Sequence, residues 1–552
     1  MFVMQDMDIN GKRYRGFTHA APNMLEMLQF ARGYGDKPFI VFEDQRLSYD
    51  DFYQRVDILA SQLQKNYGVV KGDRVAIAMR NCPQWAISFV AGALCGAVMV
   101  PLNSWGKTDE LMYGIQDCGA KIVVCDMARL ALIEAELDKT DCCYLAVEPD
   151  NSDSAPGAIG DKVCAFNTVL AGGLVDGFAQ PAVASDDPGM IMYTSGSTGF
   201  PKGAVHHQAA IPQAIMGMAF LGVMTMQLEG ERKLRGGAEQ ETPLLTVPLF
   251  HGTGLVSGLL MPLQFGQKVV MMYKWDTEKA LQLVEREKIT GITSVPAVIQ
   301  GLFSHPNYGK YDTSSLFRIS IGGAATPEGL PELIQSKIGE ASRSTGWGMT
   351  ETVAVGSTMS GAIYDLKPLS AGVKSPLAEL RFCDSDGNVL PPGDIGELQM
   401  RGITVCTGYW NHPDATAEIF DGDWLKSGDL GRMDEDGFLH ITGRIKEIVI
   451  RAGENIYPGE IENAAYTLDG VQEAVVFGVP DPVMGEELAM IVYARDEDGV
   501  SVDGLRAHLA NGLAGFKVPK YIELRNQPLP KNITSKLFKR QMREDFIATL
   551  PR

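Results

Sequence analysis

Positive charge is in short supply. Lysine and arginine number 49 against 68 aspartates and glutamates over 552 residues, a net charge of −19. That argues against a general nucleic-acid binder and against an anionic membrane surface as the main partner. A bound polyphosphate would need a locally positive pocket built from inward-turned N–H groups, a lysine and a metal. The nine cysteines form no Cys-x-x-Cys, and their count is odd. They are expected to be reduced thiols, mostly buried, in a cytoplasmic protein, so the sequon Asn532-Ile533-Thr534 carries no glycan. The N-terminus has no basic stretch followed by an apolar core, and no signal peptide is expected. The longest uncharged stretch, Asn81 to Gly106, is interrupted by Pro83 and Pro101. It predicts a buried helix–strand pair, not an integral membrane segment. A Walker A loop is missing as well. Gly106-Lys107-Thr108 follows Pro101 where the first loop glycine belongs.

What the chain does have is alternation. Strand-like runs at Arg74–Met79, Val98–Pro101 and Lys121–Cys125 are separated by helical patterns, and Ser48 is a plausible N-cap for a helix over Tyr49–Lys65. The pattern resumes through Leu244–Pro248, Lys268–Met272, Gly291–Val295 and Phe317–Gly322. Such alternation predicts parallel sheets covered by helices. Residues 377–442 are dense in turn signals such as Asp386-Gly387 and Asp436-Gly437, with short β runs between them, so a small β-rich subdomain is expected. A last α+β unit begins near Gly443. The expected fold class is α/β: a large N-terminal domain, 1–443, of parallel-sheet α/β subdomains plus the β-rich subdomain, then a small mobile α+β C-terminal domain, 444–552.

Into this frame falls Tyr193–Gly203, YTSGSTGFPKG, a loop of glycines, hydroxyls and one lysine suited to wrap an anion, or else a plain surface turn. Further along come PLFHGTG (248–254), GGAATP (322–327), STGWGMTE (344–351), GELQMRG (396–402) and GYW (408–410). A long run from Lys426 to Glu462 and PLPKNITSKLFKR (528–540) complete the set. In that order these motifs resemble the adenylate-forming (AMP-binding) superfamily: acyl-CoA synthetases, peptide-synthetase adenylation domains and firefly-type luciferases. The resemblance spans nearly the whole chain.

The resemblance implies that a carboxylic acid attacks the α-phosphate of ATP, giving an acyl-adenylate and pyrophosphate, and that a thiol then displaces AMP. The transition state concentrates negative charge, so catalysis should be electrostatic and positional. It implies that Thr194, Ser195, Gly196, Ser197, Thr198, Gly199 and Lys202 hold the β/γ-phosphates. Gly323, Ala324, Ala325, Trp347 and Gly348 would form the adenine side. Thr350 would touch the α-phosphate, Glu351 would hold Mg²⁺, Asp429 would accept the ribose hydroxyls, and Arg444 would add a ribose or phosphate contact. Lys536 would bridge the acid and the α-phosphate, although its cluster with Lys531, Lys539 and Arg540 could equally be a solvated face. Ser535 stands where glycine is commoner in the family. His251 would gate or orient the acid, or serve as a hydrogen-bonded core residue. Lys446 matches the hinge, and Gly453, Phe516 and Lys517 would meet CoA after a domain rotation. GVPDPVMGEE (478–487) and the lack of an Asp-Ser-Leu carrier segment favour coenzyme A as the thiol.

The expected partners are a small-molecule acid, ATP and CoA, with room for a homodimer. Phe250, Gly252, Gly254 and Leu255 would line an apolar acid tunnel, for a medium- or long-chain fatty acid first and an aryl acid second. A stand-alone adenylation enzyme loading a carrier protein, or a non-catalytic adenylate-binding scaffold or sensor, are the other readings.

Overall fold

The computed structural model describes residues 2–148, 161–194, 201–229, 240–323, 326, 329–339, 342–452, 454–495, 499–531 and 537–550. Two sheets dominate the first 374 residues. One has seven strands in the order 203–207, 188–193, 98–101, 74–78, 122–126, 143–147, 163–165. All but the first of these run parallel to their neighbours. The other has nine strands, with a parallel centre running 342–347, 318–321, 291–294, 243–245, 269–271, 38–42 and antiparallel edges.

Side-chain alternation along the strands divides the core. Val75 and Ile77 join one apolar cluster, and Ala76 and Ala78 join the opposite one. The first cluster also takes in Val269 and Met271 of the nine-stranded sheet and the helices Tyr49–Lys65 and Pro83–Leu94, so those helices lie between the two sheets. Every residue of Pro83–Leu94 is buried, with Trp85 and Phe89 stacked at 5.4 Å. The uncharged stretch is therefore a buried helix and strand, as its prolines predict. Ser48 caps its helix with a reciprocal bond to Asp51. The cysteines are free, and all are buried or half-buried. Among the described residues one helix, Ala210–Glu229, is long and apolar enough to cross a membrane by length and composition, as the core helix of a soluble protein can also be.

A five-stranded antiparallel sheet follows, built from Ala378–Cys383, Gly396–Gly402, Phe420–Asp421, Trp424–Met433 and Leu439–Arg444. The last sheet, also of five strands, centres on the hairpin Val471–Asp481 and Gly485–Ala494, with Pro458–Tyr466 against it. Several elements lack a forecast from pattern, and three places among them bear on the site or the termini. The hairpin Met4–Ile9 and Lys12–Phe17 lies in the N-terminal lead-in. The helix Lys539–Thr549 follows the last motif. The segment Thr253–Leu260 is wound as a π-helix, a geometry that often marks functional ground.

Candidate active site

Topology gathers the motifs. In the nine-stranded sheet, Pro243–Leu245, Gly291–Ser294, Arg318–Ile321 and Ser342–Trp347 are parallel, so their carboxyl ends share one edge. PLFHGTG, Gly322-Gly323 and Gly348–Glu351 all leave from that edge. In open parallel sheets such an edge is the usual ligand crevice. Strand Pro188–Tyr193 and its antiparallel partner Gly203–His207 form the arms of a hairpin whose tip is the glycine-rich loop. The Thr194 N–H donates to the Lys202 carbonyl at 2.9 Å and closes its base. Ser195, Gly196, Ser197, Thr198 and Gly199 lie outside the described residues, as do Ala324, Ala325, Gly453 and Lys536.

Segment 406–410 ties the hairpin to the turn that carries Glu351. Val205 N donates to Gly408 O, Thr407 N to Val205 O, and Trp410 N to Gly203 O, at 2.8–2.9 Å. Cys406 N donates to the Glu351 carbonyl at 2.8 Å. Tyr409 is thereby placed with its hydroxyl donating to Glu351 Oε1 at 2.6 Å and its ring 5.5 Å from Lys202 Nζ. Glu351 is 6% exposed. Burial pushes its carboxyl above the ordinary range, while the Tyr409 bond and Arg444 pull the other way. Burial and the adjacent Glu351 push the Tyr409 phenol upward, so it stays a donor.

Asp429, 5% exposed, completes the group. Trp347 Nε1–H donates to its Oδ2 at 2.8 Å, and Arg444 pairs with its Oδ1 at 2.9 Å. Each oxygen keeps a second lone pair for a further donor. Arg444 is itself well exposed. The Trp347 ring rests on Gly356 and joins the apolar cluster of the antiparallel sheet, leaving 8% of its surface open. Trp347 thus does more than the flat wall its motif suggests, because it also fixes Asp429. A side chain at Gly348 would run into the Ala354 carbonyl, so only glycine fits there. Val353 and Ala354 both take left-handed backbone, with φ of 55° and 59°, just after Glu351. For a β-branched residue this is costly and is tolerated where surrounding packing over-determines it.

Thr350 offers its carbonyl to His206 Nε2–H at 2.9 Å. Burial pushes His206 down to about 3, so the ring is neutral and structural. His251 stands beside Phe250, with ring centroids 4.3 Å apart, and its backbone N–H donates to Pro248 O. Leu255, Val256, Leu259 and Leu260 are fully or almost fully buried. Gly254 presses against the Pro248 carbonyl, so it serves backbone packing. Gly323 has φ of 79° at the strand exit.

In the last sheet region, Lys446 sits in the short turn Ile445–Glu447, between the strand ending at Arg444 and the one starting at Val449. Phe516 is 40% exposed. Lys517 is held by both oxygens of Glu460 at 2.7 Å and is not a free cation. Of the described members of the terminal basic run, Lys531 and Arg540 are exposed and Lys539 is half-buried, and all three are paired with acids. Lys531 pairs with Glu473 at 2.5 Å, Lys539 with Glu447 at 3.0 Å and Glu462 at 2.9 Å, and Arg540 with Glu544 at 2.9 Å. Sequence reasoning missed Tyr409. The signal was the GYW motif itself, noted for its order but assigned no chemistry.

Glu351 beside a glycine-rich hairpin at the carboxyl edge of a parallel sheet, with Asp429 of the antiparallel sheet held to that edge by Trp347, fits a nucleotide-dependent enzyme of α/β architecture. Residues 28–410 match the AMP-binding enzyme family, and residues 460–536 match the AMP-binding enzyme C-terminal domain. The chain belongs to that family, and it is an acid–thiol ligase of the acyl-CoA synthetase type that uses ATP and coenzyme A. It is 33% identical over 500 residues to a feruloyl-CoA synthase of Amycolatopsis sp, covering 91% of this chain and 94% of that one. It is 31% identical over 488 residues to a long-chain-fatty-acid–CoA ligase of Mycobacterium tuberculosis, covering 88% and 90%. Among solved structures, ATP-bound MatB from Rhodopseudomonas palustris superposes with a TM-score of 0.79 at 28% identity, covering 94% of this chain and 99% of that one.

Proposed function

We propose that the protein joins a carboxylic acid with an apolar body, most fittingly a medium- or long-chain fatty acid, to coenzyme A at the expense of ATP. In the first step a carboxylate oxygen bonds to the α-phosphorus, and the bond from that phosphorus to the bridging oxygen breaks, releasing pyrophosphate. In the second the CoA thiolate bonds to the acyl carbon, and AMP leaves with the bonding pair. The observation that carries this reading is the joined set Lys202–Tyr409–Glu351 and Trp347–Asp429–Arg444, with two buried carboxylates beside the phosphate hairpin.

Asp429 accepts the ribose hydroxyls while Trp347 and Arg444 hold it in place. Lys202 and the loop 194–199 grip the departing phosphates, and Thr350 contacts the α-phosphate. Gly323, Ala324, Ala325, Trp347 and Gly348 flank the adenine. Lys536 bridges the acid's carboxylate and the α-phosphate, and His251 orients the acid. Glu351 suits a hard cation: it is a buried carboxylate whose side-chain hydrogen-bond partner among the described residues is a neutral phenol, with Arg444 acting on it only through its charge. Mg²⁺ bound there would screen the charge on the leaving phosphates.

The chain divides at 443/444, and Lys446 is the hinge. Rotation of the small domain withdraws Lys536 and brings Gly453, Phe516 and Lys517 to the CoA side; Lys517 must exchange Glu460 for a phosphate to take part. An aryl acid is the second reading. It is favoured by the edge-to-face pair of Trp105 and Phe250 at 5.9 Å and by the similarity to the feruloyl-CoA synthase. Pyrophosphate release across a panel of fatty and aryl acids, with and without CoA, tests both. The fatty-acid reading expects release and acyl-CoA to rise with chain length, since each buried methylene gains about 0.8 kcal/mol. Release with aryl acids alone turns to the second reading. Release without transfer to CoA turns to carrier loading, and no release with any acid turns to a scaffold.

A further inference from the structure

Tyr409 links Lys202 and Glu351 in the site described above but has been given no role of its own. Its hydroxyl donates to Glu351 Oε1 at 2.6 Å. Its ring faces Lys202 Nζ at 5.5 Å, inside the range at which an ammonium is drawn to an aromatic face. Its backbone is fixed on both sides. Ala204 and Tyr409 form a β-bridge, and Tyr409 N donates to Thr416 Oγ1 at 2.8 Å. The same segment holds the Glu351 main chain through Cys406. A long flexible carboxylate in a buried place would otherwise choose among rotamers. Here one of its oxygens is pinned by a donor that is itself anchored to the outgoing arm of the phosphate hairpin.

We infer that Tyr409 is a positioning residue: its hydroxyl holds one oxygen of Glu351 so that the other faces the nucleotide's divalent cation, and its backbone keeps that carboxylate in register with the phosphate hairpin. This rests on the reading of Glu351 given under the proposed function. A group that orients a metal-binding carboxylate from behind is worth about 10–100-fold in metal affinity when removed. A hydroxyl with only a packing role would carry no such preference for the metal-bound nucleotide.

The test is calorimetric binding of ATP to the full-length protein, with Mg²⁺ and with Mg²⁺ removed by chelation, so that it reads affinity and not turnover. The variants are Tyr409→Phe, Glu351→Gln and the two combined. Expected are a loss of about tenfold in affinity for Mg·ATP in Tyr409→Phe, unchanged affinity for metal-free ATP, and a double variant no weaker than Glu351→Gln alone. Wild-type affinity for Mg·ATP in Tyr409→Phe would overturn the inference. So would an equal loss with and without Mg²⁺, or additive losses in the double variant. If Glu351→Gln itself leaves Mg·ATP affinity unchanged, the cation role of Glu351 falls and this inference with it. A normal Tyr409→Phe beside an impaired Glu351→Gln removes only the role of Tyr409.

Discussion

Two charged regions of this molecule are built on opposite principles. Around the glycine-rich hairpin, two carboxylates are buried and incompletely satisfied. Glu351 is met by a phenol, and Asp429 by an indole N–H and one well-exposed arginine. In the last sheet region the described lysines of the terminal run are matched by acids: Lys531 with Glu473, and Lys539 with Glu447 and Glu462. Burial pulls the Lys539 ammonium down, but its two glutamates outweigh that and push it up. The first region holds binding capacity in reserve, and the second has used it on itself. A run of like charge in a sequence therefore says little until the partners are known. Most of the run is architecture, and Lys536 is proposed as its chemical member.

The largest effect that would sharpen this contrast is at that lysine. Lys536→Ala should cost about 10²–10³-fold in pyrophosphate release while largely sparing transfer from preformed acyl-adenylate to CoA in a single turnover. Equal loss of both steps would break the two-conformation scheme. Next, Asp429→Ala should weaken ATP binding by about 10–100-fold, because it removes a charged acceptor and strands the Trp347 N–H. Asp429→Asn keeps an acceptor for the indole and should lose less, and equilibrium binding of ATP separates the two.

On the structural side, Lys539→Met leaves Glu447 and Glu462 without their shared cation. It should lower stability to urea by about 1–2 kcal/mol, with turnover per folded molecule near wild type. A collapse of turnover without loss of stability would place Lys539 in the chemistry and blur the contrast. The smallest effect concerns His206, whose folded value is depressed by burial to about 3. The unfolded chain takes up a proton below about 6.5 that the folded chain refuses. Its contribution is thus complete above that pH and is lost as pH falls toward 3. At pH 6 the loss is under about 1 kcal/mol. Urea midpoints from pH 7 to 6 should fall less steeply in His206→Gln than in wild type.

Much of this was readable in advance, for definite reasons. Helix Tyr49–Lys65 announces itself by an N-cap serine and an apolar stripe, and Arg74–Ala78 by an uninterrupted apolar run. The hairpin Met4–Ile9 with Lys12–Phe17 stayed hidden because its strands mix charge with apolar residues without clean alternation. The helix Lys539–Thr549 was masked by a motif read for its lysine. Nothing local in the sequence signals the π-helical winding of Thr253–Leu260, where Gly254 lies against the Pro248 carbonyl and Gly258 against Leu245. In the candidate site, motif order named Asp429, Glu351 and Lys202 one by one, but nothing local to any of them signals Tyr409 as the link.

By itself the sequence determined the layered α/β fold, the family and the order of the motifs, because periodicity, capping and short loop chemistry act over a few residues. Only the tertiary structure decided which charges are spent in ion pairs and which are kept open. That depends on partners tens to hundreds of residues away: Tyr409 for Glu351, Trp347 for Asp429, and Glu447 and Glu462 for Lys539. Burial of an ionised group is costly unless a specific neighbour answers it, and which neighbour answers is settled by how the sheets come together.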